Sequence, residues 1–596
     1  PAYVFPGNNA SRRGGSERLR GAAMILQALV KYYENLAEQG KVSRLGWCHA
    51  KVSYEINLSS EGDIIGITSR KIADMRGKKV VWVPANLVVP EMVTRSSGVA
   101  GNFLCDNSKY MLGIDADGTN SRVVDCFQAT KEKHGQILQS AQGKTARAIL
   151  AYFEKWDPQK ASEHPVIREN WEELTEGGNL IFSVEGQEAQ EDPEIRDCWE
   201  NYRARNGGED NGICLVTGKK AEISRIHKAI KGVPGAQSSG AALVSFNALS
   251  FESYGKEQSY NAPVGKYAEF AYTTALNYLL SQRDYTFSLG DSMIVYWAES
   301  GNEQCFLNMF KPTKDNQKKL KDIFDSLKEG TRVYLEDAEM DPKQNFYILA
   351  LAPNAARLSV RFFYVNSFGK IIQNIADHYE RLKIVKPAWE EQDYLGIRDM
   401  LNETVNQKSK DKTPVPNMAA LVLQAILSGG RYPASLYTYT LIRIRAECGN
   451  VNWKRAAIIK AFLIKNYNCM KGENLMGLNE DRNDIAYVLG RLFSVLESIQ
   501  KEANPTITTT IHDRYFNSAC ATPAVIFPVL LKLKNSHMKK LERDKGGAKV
   551  YYEKEVGKIM GKFDDFPKRL SLEQQGQFAL GYYHQQQEKY KKGEDK

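Results

Sequence analysis

The chain changes texture near residue 405. Before that point, strand-like alternation and short helical stretches follow one another. Beyond it, apolar residues recur at helical spacing through successive segments joined by short loops. A sequence patterned this way predicts an α+β protein, with a mixed α/β N-terminal body followed by an all-α helical-bundle C-terminal domain. The divide is NQKSKDKTPVPN, Asn406–Asn417, polar and proline-bearing, which reads as a linker between a body over 24–405 and a bundle over 418–596.

Within the body, Ile25, Leu26, Leu29, Tyr33 and Leu36 share one helical face, and Gly40 ends that helix. Lys51–Leu58 reads as a strand, turned by SSEG into a partner over Asp63–Ile67, and Val80–Val83 as a further strand. A helix is expected over Lys144–Lys155 and a surface helix within Pro312–Gly330. Strands are expected at Met293–Trp297, Phe346–Ala352 and Leu358–Val365. In the bundle, the helices expected are Met418–Leu427, Pro433–Cys448, Trp453–Tyr467, Asp484–Ala503 and Tyr515–Asp544.

At 42% hydrophobic and 25% charged residues the composition is that of an ordinary globular protein. The longest apolar runs, such as AVIFPVLL, fall short of the ~20 residues a membrane span needs. Residues 1–23 read as a leader or tag remnant ahead of a start at Met24. They carry Arg12, Arg13, Arg18 and Arg20 against Glu17, a net of +3, which leaves +6 of the formal +9. That bias is too mild to identify a nucleic-acid binder, so local clusters have to carry the argument. The 9 cysteines are odd in number and irregular in spacing, which points to a reducing cytoplasm rather than a disulfide framework.

No catalytic constellation stands out. Gly143-Lys144-Thr145 resembles the end of a phosphate-binding loop, but Leu138 stands where that motif needs glycine. His512-Asp513 resembles a phosphohydrolase doublet without further ligands at supportive spacing. No metal, cofactor or enzymatic activity is therefore expected.

Four stretches suit nucleic acid. Arg95, Ser96, Ser97, Asn102, Asn107 and Lys109 lie in a Gly/Asn/Ser-rich segment that composition alone reads as a turn between strands. Lys219, Lys220, Arg225, Lys228 and Lys231 form a basic run; if its middle is helical, Arg225 and Lys228 share a face. The small-residue run KGVPGAQSSG follows. Asn247, Tyr254, Lys256, Gln258 and Asn261 enrich the next segment in amides and tyrosines. Such residues bond to or stack on bases, or equally build a buried polar network. Near the C-terminus, Lys532, Lys534, Lys539, Lys540 and Arg543 give a basic helix suited to a single strand.

The wording of several segments goes further. LVSFNALSFESYGKEQSYNAPVGKYAEFAYTTALNYLL (Leu243–Leu280) resembles the Csd-type large subunit of the type I-C CRISPR Cascade. So do MILQALVKYYENLAEQG (Met24–Gly40), GNFLCDNSKYMLG (Gly101–Gly113) and CLVTGKKAEISRIHKAIKGVPGAQSSGA (Cys214–Ala241). GDSMIVYWA (Gly290–Ala298), LAPNAARLSVRF (Leu351–Phe362) and LGRLFSVLESIQ (Leu489–Gln500) extend the likeness over nearly the whole chain.

The resemblance implies a non-catalytic, cytoplasmic prokaryotic subunit of an RNA-guided complex. It would recognise a PAM in duplex DNA, help unwind it, support the displaced non-target strand and help recruit a helicase-nuclease. Its partners would be guide RNA, target double-stranded DNA, and the backbone, guide 5′-end and small subunits. The resemblance also implies that 476–596 corresponds to a separately translated small subunit, with Met476 as internal start and Met470 as the nearby alternative. Two other classes compete: an RNA/protein scaffold without PAM readout, and a metal-dependent nuclease at His512-Asp513.

Overall fold

The computed structural model describes residues 13–76, 79–93, 98–117, 120–205, 211–299, 310, 312–313, 316–328, 333–335, 338–469 and 475–591. The chain forms two compact units, one of residues 1–228 with 244–276 and the other of 229–243 with 277–596.

The first unit is built on a seven-stranded sheet. Its strands are β1 (Trp47–Leu58), β2 (Ile64–Ser69), β3 (Lys71–Arg76), β4 (Lys79–Pro90), β5 (Cys105–Asn107), β6 (Asn179–Val184) and β7 (Gln187–Glu188). The order is β3-β4-β1-β6-β5, with β2 paired to β1 and β7 to β6; only β1 and β6 run parallel. Helices α1 (Arg13–Glu38), α2 (Ser108–Met111), α3 (Ser121–Leu138), α4 (Lys144–Lys155), α5 (Pro165–Glu169), α6 (Trp171–Thr175) and α7 (Pro193–Arg205) complete this part. Apolar side chains of α3, α4 and α7 pack against Tyr54, Ile56 and Phe182 of the sheet. A short hairpin, β8 (Asn211–Ile213) with β9 (Lys220–Glu222), precedes α8 (Lys266–Ser281).

The second unit joins sheet and helices in one core. Strands β10 (Thr286–Leu289), β11 (Ser292–Ala298), β14 (Asn345–Asn354) and β15 (Arg357–Ser367) form an antiparallel meander, with β12 (Val333–Leu335) and β13 (Ala338–Met340) as a separate pair. The helices are α9 (Gln317–Lys328), α10 (Phe368–Leu382), α11 (Ile397–Asn402), α12 (Met418–Ser428), α13 (Ala434–Ala446), α14 (Trp453–Asn466), α15 (Ile485–Ala503), α16 (Ile511–Ala521), α17 (Pro523–Asp544), α18 (Gly546–Met560) and α19 (Leu572–Lys591). One apolar cluster runs from Phe287 and Ile294 of the sheet to Phe578 and Tyr583 of α19, on both sides of the 406–417 segment. The chain is thus mixed at its N-terminal end and helical at its C-terminal end, as the patterning predicts.

One helical expectation needs correction, and the helical condition set for the basic run is not met. The run Tyr515–Asp544 is not one helix. The proline at position 523 opens a new helix after Thr522, where a missing N–H costs nothing. The preceding helix starts earlier, at Ile511, because Thr510 and Asp513 cap it reciprocally. The middle of 219–231 is not helical, so Arg225 and Lys228 share no helical face: beyond β9 the chain is irregular and tied to neighbouring segments, Ser224 N–H donating to Val264 O and Ile230 N–H to Ala241 O.

Helices α15 and α19 approach closely where Gly490 and Gly581 let backbone meet backbone. A methyl group on Gly490 would fall on the Phe578 carbonyl oxygen, and one on Gly581 on that of Tyr487. Polar bonds tie the same faces. Tyr487 OH pairs with His584 Nδ1 at 2.9 Å, Arg491 Nε donates to Gln585 at 2.9 Å, and buried Glu497 accepts from Tyr582 OH at 2.8 Å.

Candidate nucleic-acid interface

The segment Gly101–Lys109 runs from a turn through β5 into the start of α2, with residues 101–106 buried. Gly101 abuts the Thr130 backbone of α3, where any side chain would collide. Asn102 is 1% exposed; its Oδ1 accepts the Val93 N–H at 2.8 Å. Asp106 accepts the N–H groups of Asn102 and Asn107 at 3.0 and 2.9 Å. Asn107 caps α2 through Lys109 N–H, and Lys109 pairs with Asp115 at 3.1 Å. Asn102 and Asn107 therefore spend their side-chain oxygens on the turn. Arg95, Ser96 and Ser97 lie outside the described residues.

Leu104 in this turn has φ 61°, and its N–H is held by Nε2 of buried His134 at 3.0 Å. Burial pushes His134 down to about 4, so it stays a neutral acceptor at pH 7. The unfolded chain binds a proton at this imidazole below about 6.5, and the folded chain does so only near 4. Stability is therefore lost as pH falls through that window. Acidifying from pH 6.5 to 5 should cost about 2 kcal/mol at this group. Denaturant midpoints of wild type and His134→Gln across that range check it: the variant should lose this part of the slope.

The basic run divides. Lys219 and Lys220 stand on the exposed end of the β8–β9 hairpin. There Cys214 N–H donates to Lys219 O at 2.9 Å and Gly218 N–H to Cys214 O at 2.8 Å. Neither lysine forms an ion pair with a described residue. Arg225 is engaged, donating through Nε to Gln258 at 2.9 Å and lying 3.4 Å from Glu257. Lys228 pairs with Glu91 at 2.8 Å and lies over the Phe270 ring. Lys231 belongs to the second unit, where its N–H donates to Asn277 and the following loop is tied at Ile230 and Ala241. That loop is anchored, not loose.

The polar-aromatic segment carries the most distinctive geometry. Ser253 and Lys256 form an antiparallel bridge, and the residues between them, Tyr254 and Gly255, have φ 55° and 67°. Positive φ at both central positions defines a type I′ turn, which costs little for glycine but strains a tyrosine by ~1 kcal/mol. Asn261 locks it: Oδ1 accepts Ser253 N–H at 2.9 Å, while Nδ2 donates to Lys256 O and Gln258 O at 2.6 and 2.9 Å. Tyr254 is consequently held out at the tip, 98% exposed. Lys256 is exposed beside it, as are Asn247, Leu249 and Phe251.

Gln258, braced by Arg225, and Asn261 thus serve the turn, whereas Tyr254, Lys256 and Asn247 face outward. Ser259 N–H reaches Arg225 O and Leu215 N–H reaches Pro263 O, so this loop and the stretch after the β8–β9 turn are knit together. The exposed apolar side chains Leu249, Phe251 and Ile226 carried no sequence signal, since single apolar residues in a polar loop read as anchors.

On α17 the cations occupy two sides. Lys532, Lys539 and Arg543 fall within about 40° of one line on the exposed face, whereas Lys534 projects toward the half-buried side. Lys540 donates to Asn504 at 2.8 Å, and Arg543 pairs with its neighbour Asp544. The remaining motifs have structural occupations. The N–H groups of Gln142 and Gly143 at the start of α4 donate to the Glu194 carboxylate at 2.8 and 2.6 Å. Asp513 closes the α16 cap, and His512 stacks on Tyr582 while bonding Gly449 O at 3.0 Å. No group of three or more His, Cys, Asp or Glu among the described residues is placed to hold a metal ion. Among the same residues, no helix is long and apolar enough to cross a membrane.

No curated protein matches the chain. Residues 29–590 match the family model of the CRISPR-associated protein Cas_Csd1, and the chain belongs to that family, as a subunit working with other Cas proteins.

Proposed function

We propose that this chain is the large subunit of a type I-C Cascade and reads the PAM on duplex DNA beside the guide-paired target. In this reading it helps open the duplex, supports the displaced strand along Lys532, Lys539 and Arg543, and helps recruit a helicase-nuclease. It acts without catalysis of its own, in the prokaryotic cytoplasm, alongside guide RNA and the other Cascade subunits. The segment from Met476 serves in addition as a separately translated small subunit. Met476 is half exposed in the stretch before α15, and Met470 lies outside the described residues.

The observation that carries the reading is the locked turn at Ser253–Lys256. A tyrosine strained into full exposure is poorly explained by stability, and suits stacking on a base at an opened step. Lys256, Lys219 and Lys220 supply cations that no carboxylate among the described residues neutralises, as phosphate contacts require.

The test is a salt titration of the assembled complex on a matched duplex. Changing Lys219 and Lys220 together to alanine should reduce the slope of log K against log salt by about two. An unchanged slope would remove both residues from the DNA path.

A further inference from the structure

A pocket of about 620 Å³ opens beside α3 in the first unit, and none of its lining belongs to the DNA reading. Asn120 and Asp125 line it from the start of α3, and Trp171 from the first residue of α6. Pro158, Gln159 and Ser162 come from the short 3-10 turn Pro158–Glu163. The frame is fixed by local bonds. Asn120 accepts the Val123 N–H at 3.1 Å, and Asp157 accepts the Gln159 N–H at 3.0 Å. Trp171 packs against the core of this unit, and the Thr175 hydroxyl donates to its carbonyl at 2.8 Å.

The side chains left over define the ligand. Those of Asp125, Gln159 and Ser162 have no hydrogen-bond or ionic partner among the described residues, and no other ring among them lies against Trp171. A single carboxylate does not make a metal site, and among the described residues no such group is placed here. Nor does the surrounding charge favour a phosphate. Of the residues adjacent in sequence to the lining, Asp157, Glu163 and Glu172 are acidic against Arg122 and Lys160, all of them exposed. The dipole of α3 acts within its first turn, where Asn120 already caps a donor; Asp125 lies beyond that turn. What fits is an organic cation, with a carboxylate for its charge, an indole face for stacking, and amide and hydroxyl oxygens for further N–H groups. A guanidinium uses all three: it is planar, stacks on aromatic rings and donates through several N–H groups, whereas an ammonium is a point charge.

We propose that this pocket takes an arginine side chain presented by another protein subunit of the complex. The family supplies such partners, because its members work with other Cas proteins. The volume exceeds that of one guanidinium, so residues flanking the arginine enter with it.

The test places a photoreactive benzophenone amino acid at position 159 of the full chain, in complex assembled from co-expressed Cas proteins and guide RNA. The expected product is an adduct to an arginine-bearing segment of a different protein subunit, identified by mass spectrometry. In parallel, Asp125→Arg should lower incorporation into the complex at least about tenfold, the lower end for a close interfacial charge pair. The thermal midpoint of the variant chain should not move, since the Asp125 side chain has no partner to lose. Changing the mapped arginine to aspartate should restore incorporation of Asp125→Arg. Adducts to RNA or DNA would overturn the proposal in favour of a nucleic-acid pocket, and adducts to a second copy in favour of self-association. An adduct to a segment without arginine, or incorporation of Asp125→Arg equal to wild type, would overturn it outright.

Discussion

Changing Gly490 to alanine should lower the stability of the helical unit by ~3 kcal/mol, the upper end of overpacking costs in a close-packed interior. The reason is the identity of what the new methyl group meets. It would land on the Phe578 carbonyl oxygen and beside the Tyr582 amide nitrogen of α19, which are main-chain atoms that no rotamer change can move. Gly581→Ala should act similarly through the Tyr487 carbonyl. The double variant should lose less than the sum, because both substitutions push the same two helices apart. Gly557 on α18 is the control: nothing lies within 4 Å of a methyl group there. Gly557→Ala should be neutral or stabilising by up to ~1 kcal/mol, from helix propensity alone. Chemical denaturation with matched m-values reads the sign directly. An unshifted midpoint for Gly490→Ala would mean that the α15–α19 contact is looser than described.

The second large effect concerns the turn at Tyr254. Removing the ring in Tyr254→Ala should weaken binding of the complex to duplex target by ~1–3 kcal/mol, the range for losing one stacked base. Folding stability should stay within ~0.5 kcal/mol, because the ring touches solvent. Tyr254→Gly separates strain from stacking. Glycine relieves the positive φ, so the fold should become more stable while binding is still lost. Asn261→Ala should lose binding too, but through the turn: three hydrogen bonds go with that amide. Its defect should therefore come with increased amide exchange at Ser253, one of the N–H groups Asn261 holds. Equal binding by all three variants would return the segment to a structural loop.

Much of the architecture was legible because period and punctuation agree with it. Lys144–Lys155 begins and ends where the apolar spacing places it, and β1, β11, β14 and β15 each extend their expected strands by a few residues. What escaped was decided by partners far away in sequence. The stretch 219–231 has the charges of a solvated helix, yet its backbone bonds go to Val264 and Ala241. Helices α7, α18 and α19 carry too little periodic contrast to be placed, α19 because its polar face includes glutamines buried against α15, whereas α3 and α10 escaped despite apolar faces such as Ile371, Ile375 and Tyr379.

At the candidate interface, composition found the right segments and assigned roles to the wrong atoms. Asn102 and Asn261 look like base readers in a string of letters. In the fold both are turned inward to hold loops in which Leu104 and Tyr254 have positive φ. The residue type that bonds bases is also the one that best satisfies a strained turn.

The most direct test of the account is binding of the guide-RNA complex, assembled with and without this chain, to duplexes with a randomised flank beside a matched target. Selection of a short flank sequence that disappears when the chain is omitted and weakens with Tyr254→Ala is the expected result. The same flank-independent binding with and without the chain would contradict it and leave the chain a scaffold.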